Sequence, residues 1–77
     1  MSPLTKARKD VTLVFSAFGN IVERERQKLI DLGLIPGENI KLLHAPCNGY
    51  VTFLLKGSRI ALDKKVAGEI IVREELK

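Results

Sequence analysis

Apolar and polar residues alternate with a period of two over five stretches of the chain and with a longer period over one. Val11 to Phe18, rich in β-branched and aromatic residues, reads as a strand with Leu13, Phe15 and Ala17 on one face and Thr12, Val14, Ser16 and Phe18 on the other. Asn39 to His44 sets Ile40, Leu42 and His44 against Lys41 and Leu43, and Tyr50 to Lys56 sets Val51, Phe53 and Leu55 against Tyr50, Thr52 and Leu54. Arg59 to Leu62 turns Ile60 and Leu62 inward, and Ile70 to Glu74 opposes Ile70 and Val72 to Ile71 and Arg73. Both faces of the first strand carry apolar groups, as in a small barrel whose outer face is only partly wet.

The longer period predicts a helix over Ile21 to Leu32, with Val22, Leu29 and Leu32 near one stripe and Arg26 between them. Asn20 is the expected N-cap, Glu23 stands at capping-box spacing, and Glu23–Arg26 and Glu25–Lys28 are spaced to pair. Gly33 is the expected helix stop, in the left-handed region, with Leu34 folding back on the last turn. Pro36-Gly37 fits the two central positions of a turn. Ala45 to Gly49 reads as a loop with Asn48-Gly49 as its turn, Lys56-Gly57-Ser58 as a hairpin connection, and Asp63 to Gly68 as a single turn. Met1 to Asp10 is polar and reads as a loosely held lead-in anchored by Leu4. The expected fold is mainly β with one helix: a small SH3-like barrel of about five strands, the helix inserted between strands 1 and 2, in a single domain over residues 1–77.

Composition narrows the setting. Seventy-seven residues, 45% hydrophobic, suit one small domain. A single cysteine allows no internal disulfide and suits a reducing compartment. No apolar run approaches the ~20 residues of a membrane span, and the first residues lack the apolar core of a signal peptide, so a cytoplasmic protein is expected. The net charge is +4, but 13 basic residues are interleaved with 9 acidic ones. That describes a mixed solvated surface better than a nucleic-acid footprint, and no nucleic-acid partner is expected.

Candidate chemistry is sparse. His44 and Cys47 could form a nucleophile–base pair, but no glycine-rich oxyanion loop accompanies them, and no enzyme is expected. As metal ligands the same two are too few for a closed site, which leaves weak transition-metal binding and no committed cofactor. No phosphate-binding loop occurs. Phe15, Phe18, Tyr50 and Phe53 could stack bases on a barrel strand, but their apolar company favours packing; Phe18 and Tyr50 are the pair to watch.

Lys28-Leu29-x-x-Leu32-Gly33-Leu34-x-Pro36-Gly37 resembles the signature of ferrous iron transport protein A, the FeoA family of small cytosolic SH3-like barrels. Ala45-Pro46 with Asn48-Gly49 resembles its loop, and Gly57-x-x-Ile60-Ala61-Leu62 with Ala67, Ile70 and Val72 its closing section. The family usually has Arg at the positions of Lys28 and Asp63, and a glycine where this chain has Lys9-Asp10 before the first strand. The resemblance implies an accessory role in ferrous iron uptake. Its expected partner is the cytosolic GTP-binding domain of the ferrous iron transporter, with the membrane reached only through that partner. Arg26, Lys28, Leu34, Ile35, Pro36 and Gly37 are the expected partner-binding residues, although Leu34 could equally serve the core. The alternatives are a barrel module that binds nucleic acid, or the detached SH3-like domain of an iron-dependent repressor.

Overall fold

The computed structural model describes residues 1–47 and 49–75, with the side chains of residues 45–47 left aside. The described chain forms strands β1 (Ser2–Pro3), β2 (Thr12–Phe18), β3 (Asn39–Cys47), β4 (Tyr50–Leu55), β5 (Ser58–Asp63) and β6 (Ile70–Glu74), with helix α1 (Glu23–Asp31) and the one-turn α2 (Lys64–Ala67). The named strands all pair antiparallel, in the order β1-β6-β2-β3-β4-β5, and an isolated bridge joins Lys9 parallel to Leu42. The expectation of a mainly β chain with one main helix holds. The inward residues of the strands, among them Leu13, Phe15, Ile40, Leu42, Val51, Phe53, Leu55, Ile70 and Val72, form one core closed by Leu4, Leu29, Leu34 and Ala67. Each such leucine, isoleucine or phenylalanine contributes about 1.5–3 kcal/mol by leaving water.

The first ten residues are not the loose lead-in expected. Ser2 and Pro3 pair with Val72 and Ile71 as a sixth strand. Leu4 is fully buried, as its anchoring role requires. Farther on, the Arg8 guanidinium grips Glu74 through two hydrogen bonds of 3.0 Å. Those bonds first, and the carboxylate charge second, raise the Arg8 pKa.

The alternation expected of β2 breaks at a bulge. Phe15 pairs with Val72 and Ala17 with Ile71, so Ser16 is an extra residue. Parity flips beyond it: Ala17 faces solvent, while Phe18 packs on Phe15 with ring centroids 4.7 Å apart. Leu13, Val14 and Phe15 are all buried.

The helix starts later than expected. Its N-cap is Val22, with no side-chain cap. Asn20 lies two residues before the cap position, and its backbone N–H donates to Glu69 Oε1 at 2.7 Å. Glu23 and Glu25 in the first turn supply the negative charge that the helix dipole favours. The expected apolar stripe is also redistributed: Leu29 is buried, whereas Val22 and Leu32 are exposed.

β3 runs through Ala45-Pro46-Cys47, where a loop was expected, with irregular register beyond Leu42. Asn48, half of the expected Asn48-Gly49 turn, lies outside the described residues. The Lys56-Gly57 connection is a two-residue hairpin with φ of 50° and 83°, positive at both positions as a type I′ turn requires. The single turn expected after Asp63 is α2, capped by Asp63 accepting from the Lys65 N–H at 2.7 Å.

Candidate functional site

The segment joining α1 to β3 is held at every step. The Leu34 N–H donates to Leu29 C=O and the Gly33 N–H to Ile30 C=O, each at 2.9 Å. This is the paired closure of a Schellman motif, with Gly33 at φ 108° where a side chain is disfavoured. The next reversal spans Ile35 to Glu38, closed by the Glu38 N–H on Ile35 C=O at 3.0 Å. Gly37 there takes φ 96°, as the third position of a type II turn demands. Two bonds then pin the turn to β2: Gly37 N–H to Phe15 C=O and Phe15 N–H to Glu38 C=O, both 2.9 Å. Lys56 arches over Gly33 from the β4–β5 hairpin and reaches Glu38 at 3.3 Å.

This frame sorts the expected partner-binding residues. Ile35 is 49% exposed, and Pro36 and Gly37 lie open beside it. Lys28 is exposed and joins none of the ion pairs found among the described residues. Arg26 turns back to Glu23, whose hydrogen bonds (2.6 and 2.8 Å) and then charge raise the Arg26 pKa. Glu25 and Lys28 form no such pair. Leu34 is fully buried, so of its two expected roles it takes the core one and leaves the partner-binding set. The closure at Gly33 turns Leu34 inward and leaves Leu32, the helix's C-cap residue, 51% exposed. Leu32 and Lys56 are the members that sequence reasoning missed. The signal for Leu32 was the glycine after it, because the residue that doubles back is the one beyond a Schellman glycine, not the one before.

The other candidates do not converge. His44 is exposed on β3, opposite Thr52. Cys47 pairs with Tyr50 through its backbone, and its side chain lies outside those described. Among the described residues no three His, Cys, Asp or Glu side chains gather as a metal would need. Of the aromatics, Phe15 and Phe53 are buried, Phe18 is half-buried and Tyr50 is exposed. A surface depression of about 210 Å³ beside β3 and β4 is lined by Thr12, Lys41, Leu54 and Lys56 among others, with no carboxylate, histidine or cysteine. No helix of the described residues is long and apolar enough to cross a membrane.

Comparison with solved structures places this architecture among FeoA proteins. An iron uptake regulatory protein (FeoA) is 28% identical over 96% of each chain, with a TM-score of 0.78. The zinc-complexed FeoA of Stenotrophomonas maltophilia is described as a prokaryotic SH3 domain protein and suggested to act as a ferrous iron transport activating factor. It is 18% identical over 95% of this chain and 91% of its own, with a TM-score of 0.78. The fold alone is shared with a manganese-dependent transcriptional repressor, at 13% identity over 96% of this chain and 41% of the repressor, with a TM-score of 0.79. Among curated proteins none matches. Residues 3–74 match the FeoA domain, and the chain belongs to the FeoA family, with its SH3-like fold.

Proposed function

We propose that this protein is a cytoplasmic accessory factor of ferrous iron uptake. In this reading it binds the cytosolic GTP-binding domain of the membrane ferrous iron transporter and does no chemistry of its own. Iron is the transporter's cargo. The observation that carries the reading is the exposure of Leu32 and Ile35 on either side of a doubly hydrogen-bonded turn, with Lys28 beside them. Large apolar side chains left in water on a rigid support fit a protein interface, because little order must be imposed when a partner docks.

The test is binding of the purified chain to the immobilised GTP-binding domain. Ile35→Asp is expected to weaken binding by about tenfold or more, as loss of a buried apolar anchor does, and to leave the melting curve nearly unchanged. Equal binding by wild type and Ile35→Asp refutes the proposed surface. Salt-sensitive binding to DNA or RNA at physiological salt, without any binding to the transporter domain, refutes the transport reading itself.

A further inference from the structure

β5 ends the sheet, and among the described residues only β4 pairs with it. The opposite edge, β1, is two residues long and contains Pro3, which blunts it against further pairing. β5 is six residues long and has no proline. Its register fixes which groups are free. Leu55 and Ser58 close the two-residue hairpin and exchange hydrogen bonds. The antiparallel alternation then directs the N–H and C=O of Arg59, Ala61 and Asp63 away from β4. All three residues are exposed, and none is among the backbone donors or acceptors bonded outside the regular elements.

We infer that this edge pairs antiparallel with the same edge of a second copy of the chain, centred on Ala61. The pattern is self-complementary. In that register Arg59 lies opposite the partner's Asp63 and Asp63 opposite the partner's Arg59, while Ile60 meets the partner's Leu62 on the apolar face. Within one copy Arg59 and Asp63 are roughly 13 Å apart along the strand and cannot pair. Neither takes part in an ion pair among the described residues. Asp63 caps α2 through one carboxylate oxygen only, which leaves the other for a guanidinium. Charges of one sign along the edge would repel a second copy, whereas Arg59 and Asp63 are of opposite sign.

Sedimentation velocity of the full chain at low salt, over micromolar to millimolar concentration, decides the matter. The joint is small, so reversible dimers with Kd on the order of 0.1–1 mM are expected. Arg59→Glu, which sets two like charges across the joint twice, should weaken association by at least about tenfold. Asp63→Lys should do the same, and an equimolar mixture of the two variants should associate again, because each then offers what the other lacks. Ala61→Pro removes an outward N–H without touching the β4 ladder and should abolish the dimer; it serves if Asp63→Lys unfolds for want of its cap. A wild type that stays monomeric to millimolar concentration overturns the inference. So does a dimer that folded Arg59→Glu leaves intact, or a mixture of folded variants that does not associate.

Discussion

Gly33→Ala probes the element on which the candidate surface rests. Gly33 has φ 108°, a conformation that an L side chain adopts at a penalty of about 1–2 kcal/mol. A methyl group there would also stand 2.5 Å from Lys56 Cε and 2.9 Å from Cδ. Those atoms belong to the far end of a flexible chain and can swing away, but doing so breaks the 3.3 Å pair with Glu38. The lysine side chain is about half exposed, so the pair is worth no more than about 0.5 kcal/mol. The expected total is about 1.5–2.5 kcal/mol, a large share of the roughly 3–5 kcal/mol that a domain of this size commands. Urea denaturation of wild type, Gly33→Ala, Lys56→Ala and the double variant separates the two parts. In the Lys56→Ala background only the backbone term should remain, so the coupling should be about 0.5 kcal/mol or less. An unchanged midpoint in Gly33→Ala refutes the Schellman closure. A cost that vanishes once Lys56 is removed refutes the backbone origin.

Three further outcomes are expected beside the Ile35→Asp binding test. Leu34→Ala should cost about 2–4 kcal/mol in the same assay, as for a fully buried leucine, whereas Leu32→Ala should stay within about 0.5 kcal/mol. Asp10 has φ 63°, so Asp10→Gly should raise stability by about 0.5 kcal/mol, and Asp10→Val should lower it by more than that, both read from the denaturation midpoint. Titration with ferrous iron or zinc should show no submicromolar site; such a site, lost in a His44→Ala, Cys47→Ala double variant, would reverse this.

Legibility varied along the chain for local reasons. β4 was legible because its alternation and its burial coincide: Val51, Phe53 and Leu55 are all inside. The α1 stop was legible because Gly33 and Pro36-Gly37 each carry their own backbone geometry. β2 was half legible, because an extra residue at Ser16 flips parity and no side-chain pattern announces a bulge. β1 was illegible: two residues, one a proline, become a strand only because β6, almost seventy positions away, offers an edge. The N-cap failed because the helix begins past Val22, which leaves Asn20, though a good capper by type, two residues too early. Asp10 takes φ 63°, which aspartate tolerates better than most residues, and no side-chain pattern before the strand announces it.

The exchange between Leu32 and Leu34 bears most on the candidate site. Either could have filled the core, and stripe counting assigned Leu32 there. The closure at Gly33 decides otherwise, because the residue after the glycine reverses direction and meets Leu29, while the residue before it continues the helix path into solvent. Once Leu34 has taken the interior, Leu32 adds nothing to the core, and a lysine or glutamate there would serve the helix equally well. The same holds for Ile35 at the head of a turn whose conformation is set by Pro36 and Gly37. Two large apolar side chains therefore stand where folding does not call for them, on a connection closed by backbone bonds at Gly33 and at Gly37. That placement is what the docking surface proposed above uses, and the Ile35→Asp binding test decides whether a partner occupies it.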